Sequence, residues 1–354
     1  MKEVYRDETE RYKVIVEQCL YIADLNPTNI FIIRTLLDPV GIYKLNIYEG
    51  DTLELNHNDL WKIEEFDAVI GNPPYSTDPS LPNSKPLYHL FVEQFINKCK
   101  YLLYVIPSRW FVGGKGLDKF RDMMLKRKDI RLICHEDDSK KWFGNSVEIK
   151  GGCCYLLTDK SFSGKCKFNN VEYDLSLYDC IIKPKFHSLL NKICSLENIQ
   201  KLYKGRFFGI ETNDKRLKEN GNIMCYVSTI KSKNRKMCIE NYEFNENNTF
   251  WKVITPEAAH KGYSGFGELI IGKPNEIHTG SYISFKVNNE GEAKSLLSYL
   301  SSNFANKILS IRKITQHIQK DTCKWIPLVP LDREWTDDKI CEFLSIDKKL
   351  IEEL

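Results

Sequence analysis

Several features are missing from this sequence, and each absence excludes a class of protein. No apolar run reaches the roughly 18–20 residues that a helix needs to cross a bilayer, so we expect no membrane-spanning segment. The start of the chain, MKEVYRDETERYK, carries charges of both signs and no apolar core, which excludes a secretory signal peptide. None of the 12 cysteines has a partner at C-x-x-C spacing, which predicts buried thiols in a reducing cytoplasm rather than zinc ligands or disulfides.

The composition is that of a globular protein with enough residues for two domains. The chain has 354 residues, of which 42% are hydrophobic and 28% are charged. The net charge of +3 indicates little, but residues 201–240 contain 10 Lys and Arg against 4 Asp and Glu, whereas residues 1–150 contain 21 against 23. A basic region with Tyr203, Phe207 and Phe208 interleaved suits a nucleic-acid backbone. A solvated helical face is the alternative.

The most informative stretch is FDAVIGNPPY, at residues 66–75. Residues 66–70 are apolar except for one Asp, and they predict a short buried strand that ends at Gly71. The two prolines that follow fix their φ angles and have no backbone N–H, so they stop the strand and leave a stiff, extended loop. In open α/β sheets, ligands bind at the carboxyl ends of the strands. The loop is therefore a candidate binding site, and a proline-stiffened turn is the alternative.

The loop residues have the chemistry to activate an amino group. The side-chain oxygen of Asn72 and the carbonyl oxygen of Pro73 can accept both hydrogens of a single NH2 group. Held in this way, the nitrogen of an exocyclic amine loses conjugation with its ring and becomes nucleophilic. Tyr75 supplies a flat ring on which a base can stack, a contact that contributes about 1–3 kcal/mol per base, and Pro74 keeps the loop from relaxing.

The same stretch resembles the catalytic motif of the amino-methyltransferases, above all the DNA adenine-N6 methyltransferases of restriction–modification systems. The resemblance extends over roughly residues 15–160. It rests also on YIADLNPTN at 21–29, YEGDTL at 48–53, the helix and strand of residues 87–111, and FGNSVEIKGGCCYLL at 143–157.

The resemblance implies that S-adenosylmethionine is the cofactor, and it assigns residues to the cofactor site. Asp24, with Leu25 beside it, lies where the family binds the ribose. An acidic residue at the end of a second strand commonly binds ribose hydroxyls, and a helix-capping role is the alternative. Asp51, with Thr52 beside it, lies where the family contacts the adenine ring of the cofactor.

One feature of the family is missing from the chain. A glycine-rich turn, where the methionine part of the cofactor lies, should precede Asp24, and no G-x-G pattern occurs in residues 1–23. Gly265-Phe266-Gly267 is no substitute, because no acidic strand follows it at the required spacing. We therefore expect a truncated chain, a separate polypeptide that supplies the first strand and turn, or an incomplete cofactor site.

Further residues are candidates for contacts with the substrate. Arg109 follows a buried strand at the sheet edge of the catalytic motif and can contact a phosphate, with an exposed surface position as the alternative. Phe143 can pack against the second face of the target base, with a core position as the alternative. In the C-terminal half, Lys204 and Arg206 lie in the basic region, and Tyr263 lies in a glycine-rich loop that suits a groove of DNA.

These observations predict an α/β fold with more than one domain. Residues 1–175 form a Rossmann-like, S-adenosylmethionine-dependent methyltransferase domain that is incomplete at its N-terminus. Residues 183–330 form a mixed, mostly β target-recognition domain, and residues 331–354 form a small helical extension.

Helix boundaries follow from capping residues and periodicity. We expect a helix from Ile30 to Leu37, preceded by Thr28 or Asn29 as its cap. We also expect one continuous helix from Glu292 to Lys307.

The function that these patterns predict is site-specific DNA methylation in a restriction–modification system. Adenine inside a duplex cannot reach the cofactor, so it would be flipped out at a cost of a few kcal/mol, and its N6 would take the methyl group. Double-stranded DNA is the expected partner, together with a cognate restriction endonuclease or a polypeptide that carries the missing turn; no metal is needed. The alternatives are a non-catalytic or split DNA-binding remnant of such an enzyme, and a methyltransferase that acts on an RNA or protein amine.

Overall fold

The computed structural model describes residues 4–78, 81, 84–144, 149, 151–258, 265–313 and 316–352. The chain divides into two compact units, residues 1–179 and 180–354. Each unit combines helices with β-sheets, so the fold is mixed α/β with several sheets. Among the helices in the described ranges, none is long and apolar enough to cross a membrane.

Two sheets form in the first unit. Its strands are β1 (Tyr21–Asp24), β2 (Asn46–Glu49), β3 (Phe66–Gly71), β4 (Cys99–Pro107), β5 (Ile130–Glu136), β6 (Cys153–Asp159), β7 (Cys166–Phe168) and β8 (Val171–Tyr173). Its helices are α1 (Glu8–Val14), α2 (Pro27–Leu37), α3 (His57–Trp61), α4 (Tyr88–Phe95), α5 (Asp118–Lys126) and α6 (Lys140–Phe143). β1 and β2 form a parallel pair, and the remaining strands form a mixed sheet in the order β3-β4-β6-β5-β7-β8.

The apolar sequence of β4 places it inside the mixed sheet. It pairs in parallel with β3 on one side and antiparallel with β6 on the other, and Leu102 and Ile106 are fully buried. The helix before it, α4, packs against β4. The buried residues of α4 are Tyr88, Val92 and Phe95, whose spacing of four and three residues puts them on one face of the helix.

β1 and β3 run in the same direction. Tyr21 and Phe66 are the first residues of these strands, and their ring centroids lie 5.8 Å apart. The residues that follow the last residue of each strand line one common cavity. The carboxyl ends of both strands therefore lie at the same edge of the unit, which is where a ligand site is expected.

Two predicted helix boundaries are wrong. α2 begins at Pro27 with Asn26 as its cap, rather than Thr28 or Asn29, because the Asn26 side chain accepts a hydrogen bond from the Thr28 N–H (2.9 Å) and proline suits the first helical position. The single helix expected over residues 292–307 is two helices, because Ser302 has an extended backbone and its hydroxyl caps the second helix.

The second unit is built on two sheets and several helices. Its strands are β9 (Tyr203–Gly205), β10 (Leu217–Lys218), β11 (Ile223–Tyr226), β12 (Lys236–Ile239), β13 (Trp251–Pro256), β14 (Ile270–Gly272), β15 (Ile277–His278) and β16 (Tyr282–Val287). They pair in the orders β10-β12-β11-β15 and β14-β13-β16-β9. The helices are α7 (His187–Ile193), α8 (Glu290–Ser301), α9 (Asn303–Arg312), α10 (Asp337–Leu344) and α11 (Lys349–Glu352).

Candidate active site

A cavity of about 640 Å³ lies at the carboxyl ends of β1, β2 and β3. Segments that are far apart in the sequence meet there, because parallel strands end at the same edge. Seven of the residues predicted for the cofactor and catalytic sites line it: Asp24, Leu25, Asp51, Thr52, Asn72, Pro73 and Pro74. Tyr75 lies just beyond, and its carbonyl oxygen accepts a hydrogen bond from the Leu87 N–H (3.1 Å), which fixes the end of the loop.

The Asp24 carboxylate holds the turn that leads into α2. Its Oδ1 accepts a hydrogen bond from the Asn26 N–H (2.7 Å), and its Oδ2 accepts one from the Asn29 side-chain amide (3.0 Å). Each carboxylate oxygen can accept more than one hydrogen bond. Asp24 can therefore shape this turn and still accept hydrogen bonds from hydroxyl groups of a ligand in the cavity.

Asp51 and Thr52 reach the same cavity through the turn after β2. The Gly50 N–H donates to the Asp24 carbonyl oxygen (3.1 Å), which ties the end of β2 to the end of β1. The Asp51 Oδ1 accepts a hydrogen bond from the Leu53 N–H (2.9 Å), so the carboxylate is oriented by its own turn. A second carboxylate thus lies beside that of Asp24 at the cavity edge.

Glycine and proline shape the predicted catalytic loop. A Cβ atom on Gly71 would lie 3.0 Å from the ring of Tyr104 on β4, so a larger residue here would have to displace that ring. Pro73 is buried and anchors the loop, whereas Asn72 is exposed at the cavity. The side-chain amide of Asn72 is therefore accessible to a ligand.

Tyr75, the aromatic residue of the loop, contacts Phe143, the residue predicted to pack against the second face of the target base. The rings of Tyr75 and Phe143 have centroids 6.3 Å apart and are inclined by 75°, an edge-to-face contact. A base held between two rings needs them parallel, so this arrangement does not enclose a base unless one ring turns. The Tyr75 hydroxyl is buried, and burial raises the pKa of its phenol, while the Asn72 side chain lies close enough to oppose that effect.

Arg109 lies in the 3-10 helix Ser108–Phe111, which follows β4, the strand that pairs with β3. Its Nε atom is buried, with no hydrogen-bond partner in the described part of the chain. Burial lowers the pKa of its guanidinium, and the phenol of Tyr88 is close enough to oppose that effect. Arg109 is thus a half-buried cation with a free donor, and not the exposed surface residue that was the alternative.

Several apolar residues complete the cavity wall, and no sequence pattern selects them as functional residues. Leu55, Trp61, Phe91 and Phe95 line it together with the carboxylates. The amphipathic pattern of α4 identifies Phe91 and Phe95 as apolar-face residues, but nothing in that pattern separates a ligand contact from a core contact. Trp61, on the short helix α3, had no periodic signal at all.

The basic region of the second unit contains exposed, half-buried and buried aromatic residues. Phe208 is buried in a core cluster with Phe250 and Tyr203 packs against Phe285, so only Phe207 of the three aromatic residues is exposed. Five of the ten basic residues of the region form ion pairs with carboxylates: Lys201, Arg206, Arg216, Lys218 and Arg235. Phe208 is therefore a core residue, and Tyr203 is half-buried.

The predicted DNA contacts in this unit have different surroundings. Lys204 is exposed, with its ammonium group 5.8 Å from the ring centroid of Phe207. Arg206 pairs with Glu257 (2.8 Å) at a cavity of about 930 Å³. Tyr263 lies outside the described residues.

The segment that lines the cavity at the ends of β1, β2 and β3 matches a known protein family. Residues 15–143 match the family model described as the Eco57I restriction-modification methylase. This match runs from before β1 to the end of α6, and so it includes Asp24, Asp51 and the loop from Asn72 to Tyr75. The predicted resemblance to restriction–modification methylases is confirmed for these residues.

One curated protein resembles a part of the chain. A protein of Mycoplasma pneumoniae (strain ATCC 29342 / M129), described as an uncharacterized adenine-specific methylase, is 32% identical over 135 residues, which is 34% of this chain and 32% of that protein. The chain thus matches about a third of the length of this curated relative.

One solved structure has a similar fold, and a second is reported beside it. The ATP-dependent Type ISP restriction-modification enzyme LlaBIII, bound to DNA, has a TM-score of 0.51 at 10% identity, over 93% of this chain and 34% of that one. The DrdV–DNA complex has a TM-score of 0.49 at 12% identity, over 91% of this chain and 51% of that one.

Proposed function

Because residues 15–143 match the Eco57I restriction-modification methylases, we propose that the chain is a site-specific DNA methyltransferase that modifies N6 of adenine. The observation that carries the proposal is the single cavity at the ends of β1, β2 and β3. It is lined by two carboxylates that suit a nucleoside and by the Asn-Pro-Pro loop that suits an amine. In this account the first unit is Rossmann-like, and the second reads the DNA.

The residues of the cavity fit the adenosine part of S-adenosylmethionine. Asp24, with Leu25, would accept the ribose hydroxyls, and Asp51, with Thr52, would contact the adenine ring. The apolar wall that includes Trp61 suits the flat face of a purine. When bound, the cofactor supplies an activated methyl group, so the chain itself has to position rather than activate the leaving group.

The catalytic loop would hold the target amine in line with the cofactor. The Asn72 side-chain oxygen and the Pro73 carbonyl oxygen accept the two N–H bonds of the adenine amine, which keeps the nitrogen lone pair available. Tyr75 stacks on the flipped base, and Phe143 packs from the other side after a ring rotation. Arg109 would bind a phosphate next to the flipped nucleotide, because it has a buried donor with no partner in the described part of the first unit.

DNA contacts in the second unit would come from the exposed part of the basic region. Lys204 has no ion pair among the described residues and suits a phosphate contact, and Tyr263 is proposed from the sequence alone. Arg206 would exchange Glu257 for DNA, which makes its contribution smaller than that of an unpaired arginine. Double-stranded DNA and a cognate endonuclease are the proposed partners, in the cytoplasm of the host cell.

The test is direct detection of the modified base. The purified chain is incubated with S-adenosylmethionine and plasmid DNA from a host without adenine methylation, and nucleosides are quantified by mass spectrometry. We expect N6-methyladenine from the wild-type chain and a rate about a hundredfold lower for Asn72→Ala, which removes one acceptor from the amine. Asn58→Ala, an exposed asparagine on α3, is the matched control and should behave as wild type. Absence of N6-methyladenine, or equal rates for Asn72→Ala and wild type, would contradict the proposal.

A further inference from the structure

A hairpin of the second unit presents an isoleucine to solvent. β11 and β12 pair antiparallel, and residues 227–235 connect them. Ile230, in this connection, is 98% exposed, which is more than any other large apolar residue of the described chain; Val40 follows at 77%. Packing in the described structure therefore does not account for an isoleucine at this position.

The connection has a fixed backbone shape. The N–H groups of Lys231 and Ser232 both donate to the Ser228 carbonyl oxygen (3.0 and 3.1 Å). A second turn follows, in which the Arg235 N–H donates to the Ser232 carbonyl oxygen (2.9 Å). Ile230 is thus the third residue of a turn that begins at Ser228. Turns favour Gly, Pro, Asn, Asp and Ser, so local backbone structure does not account for the isoleucine either.

The base of the hairpin is joined to the core of the second unit. Val227 is fully buried, and its carbonyl oxygen accepts a hydrogen bond from the Tyr282 hydroxyl (3.1 Å). The Val227 N–H donates to the Arg235 carbonyl oxygen (2.9 Å), and the Arg235 side chain pairs with Glu268. Because the tip is anchored on both strands, less conformational freedom is lost when it binds a partner.

The charge around Ile230 is of one sign. Residues 220–239 contain four Lys and Arg and no Asp or Glu. Lys231 and Lys233 are exposed and have no ion pair among the described residues. Cations of this kind attract a phosphate backbone. Ile230 is a single apolar side chain between Thr229 and Lys231, so it suits a narrow apolar slot rather than a broad protein interface.

The hairpin tip borders the cavity of about 930 Å³ where Arg206 pairs with Glu257. Ile230 and Arg235 line this cavity together with Arg206, which the sequence predicts as a DNA contact. The exposed isoleucine therefore lies on the same face of the second unit as that predicted contact.

We propose that the hairpin tip enters a groove of double-stranded DNA and that Ile230 is wedged between two adjacent base pairs. Lys231 and Lys233 then contact phosphates. Apolar side chains used in this way part stacked base pairs and kink the duplex. The faces of the parted bases cover the isoleucine that the protein leaves exposed. The inference rests on the proposed function for its partner, DNA, and not for methyl transfer.

The first test compares two substitutions of the isoleucine. Ile230→Ser removes the wedge, whereas Ile230→Leu keeps an apolar side chain of the same size. Binding of the full chain to linearised plasmid DNA, without cofactor, is measured by filter retention. Affinity should fall about tenfold for Ile230→Ser and stay within about twofold of wild type for Ile230→Leu. Leu196→Ser, an exposed leucine of the same unit, is the matched control and should bind as wild type. Circular dichroism should show wild-type folding of all three.

Salt dependence separates the lysines from the isoleucine. In the double variant Lys231→Gln with Lys233→Gln, the slope of log affinity against log salt concentration should be smaller in magnitude by about 2, since each lost phosphate contact contributes about 0.9. Ile230→Ser should keep the wild-type slope, because it loses no phosphate contact. Lys294→Gln, whose exposed lysine is already paired with Glu290, is the control and should also keep it.

Unwinding tests the wedge itself. A closed-circular plasmid is relaxed by topoisomerase I in the presence of the chain, and its linking number is read on a gel after the protein is removed. Parting of base pairs untwists the duplex. The wild type should therefore lower the linking number, and Ile230→Ser should lower it by at most about half as much at the same bound fraction.

Several results would overturn the inference. They are equal affinity of wild type and Ile230→Ser, equal linking numbers with these two proteins, and absence of DNA binding by the wild type. A change in sedimentation of Ile230→Ser without DNA would also overturn it, because the isoleucine would then contact a second copy of the chain. N6-methyladenine is measured separately, so methylation accompanied by any of these results would retain the proposed function and reject the wedge.

Discussion

Single residues of the candidate site have geometric roles that local sequence can specify. Gly71 and the two prolines after it shape the loop through sterics and φ alone, so the sequence was sufficient to predict a strand that stops at this point. The contact between Tyr75 and Phe143 joins residues that are far apart in the chain, and its edge-to-face geometry depends on packing that no local pattern contains. The burial of the Arg109 Nε atom also depends on packing that no local pattern contains.

Substitutions of Tyr75 separate its ring from its hydroxyl. Tyr75→Phe keeps the stacking surface and removes a buried hydroxyl that makes no well-formed hydrogen bond and whose near neighbour is the Asn72 side chain, so methylation and thermal stability should stay close to wild type. Tyr75→Ala removes the stacking surface, worth about 1–3 kcal/mol, and methylation should fall about tenfold or more. The rate of N6-methyladenine formation is measured for each of the two variants. Equal losses in the two variants would show that the hydroxyl, rather than the ring, is required.

Elements of the fold show where sequence patterns succeed and where they fail. β3 and β4 were predicted as strands because each is a short apolar run with a clear stop, but the prediction that β3 is buried is wrong, because none of its residues is buried in the structure. The separation of α8 from α9 was missed, because serine can occur either inside a helix or as the cap of the next helix. The sequence around Ser302 does not distinguish these two roles. In the basic region, charge composition predicted a surface, but the ion pairs and the burial of Phe208 depend on strands that are distant in the sequence.

His278 on β15 makes the stability of the second unit depend on pH. The ring is buried, with its nitrogens 3.0 Å from the Thr279 carbonyl oxygen and 3.0 Å from the Ser284 hydroxyl. Burial lowers the pKa of His278 to about 4 from 6.5, and the charge of Lys252 acts in the same direction. Between these two pH values the unfolded chain binds the proton and the folded chain does not, so the free energy of unfolding falls as the pH is lowered from 6.5 toward 4.

The variant His278→Gln removes this titration and keeps hydrogen-bonding groups at the site. Between pH 6.5 and about pH 5, the wild type should lose about 2 kcal/mol more of its unfolding free energy than the variant. Urea denaturation at the two pH values measures the difference. Parallel pH dependence in the two proteins would show that His278 is not the titrating group.

At the scale of the whole molecule, the order of the motifs explains how the candidate site is assembled. Asp24, Asp51 and Asn72 each follow a strand, and parallel strands bring such positions to one edge, so their meeting could be expected from the sequence. The open edges of β1 and β3 in the described part of the chain could not be expected from the sequence, because an unpaired edge is a property of the sheet and not of either strand.

Calorimetric titration of this chain with S-adenosylmethionine tests the central claim most directly. The account predicts binding by the wild type, an affinity at least about tenfold lower for Asp24→Ala because the ribose hydroxyls lose a charged acceptor, and an unchanged affinity for Asp122→Ala, an exposed carboxylate on α5. No heat of binding at millimolar S-adenosylmethionine, or the same affinity in Asp24→Ala as in the wild type, would contradict it.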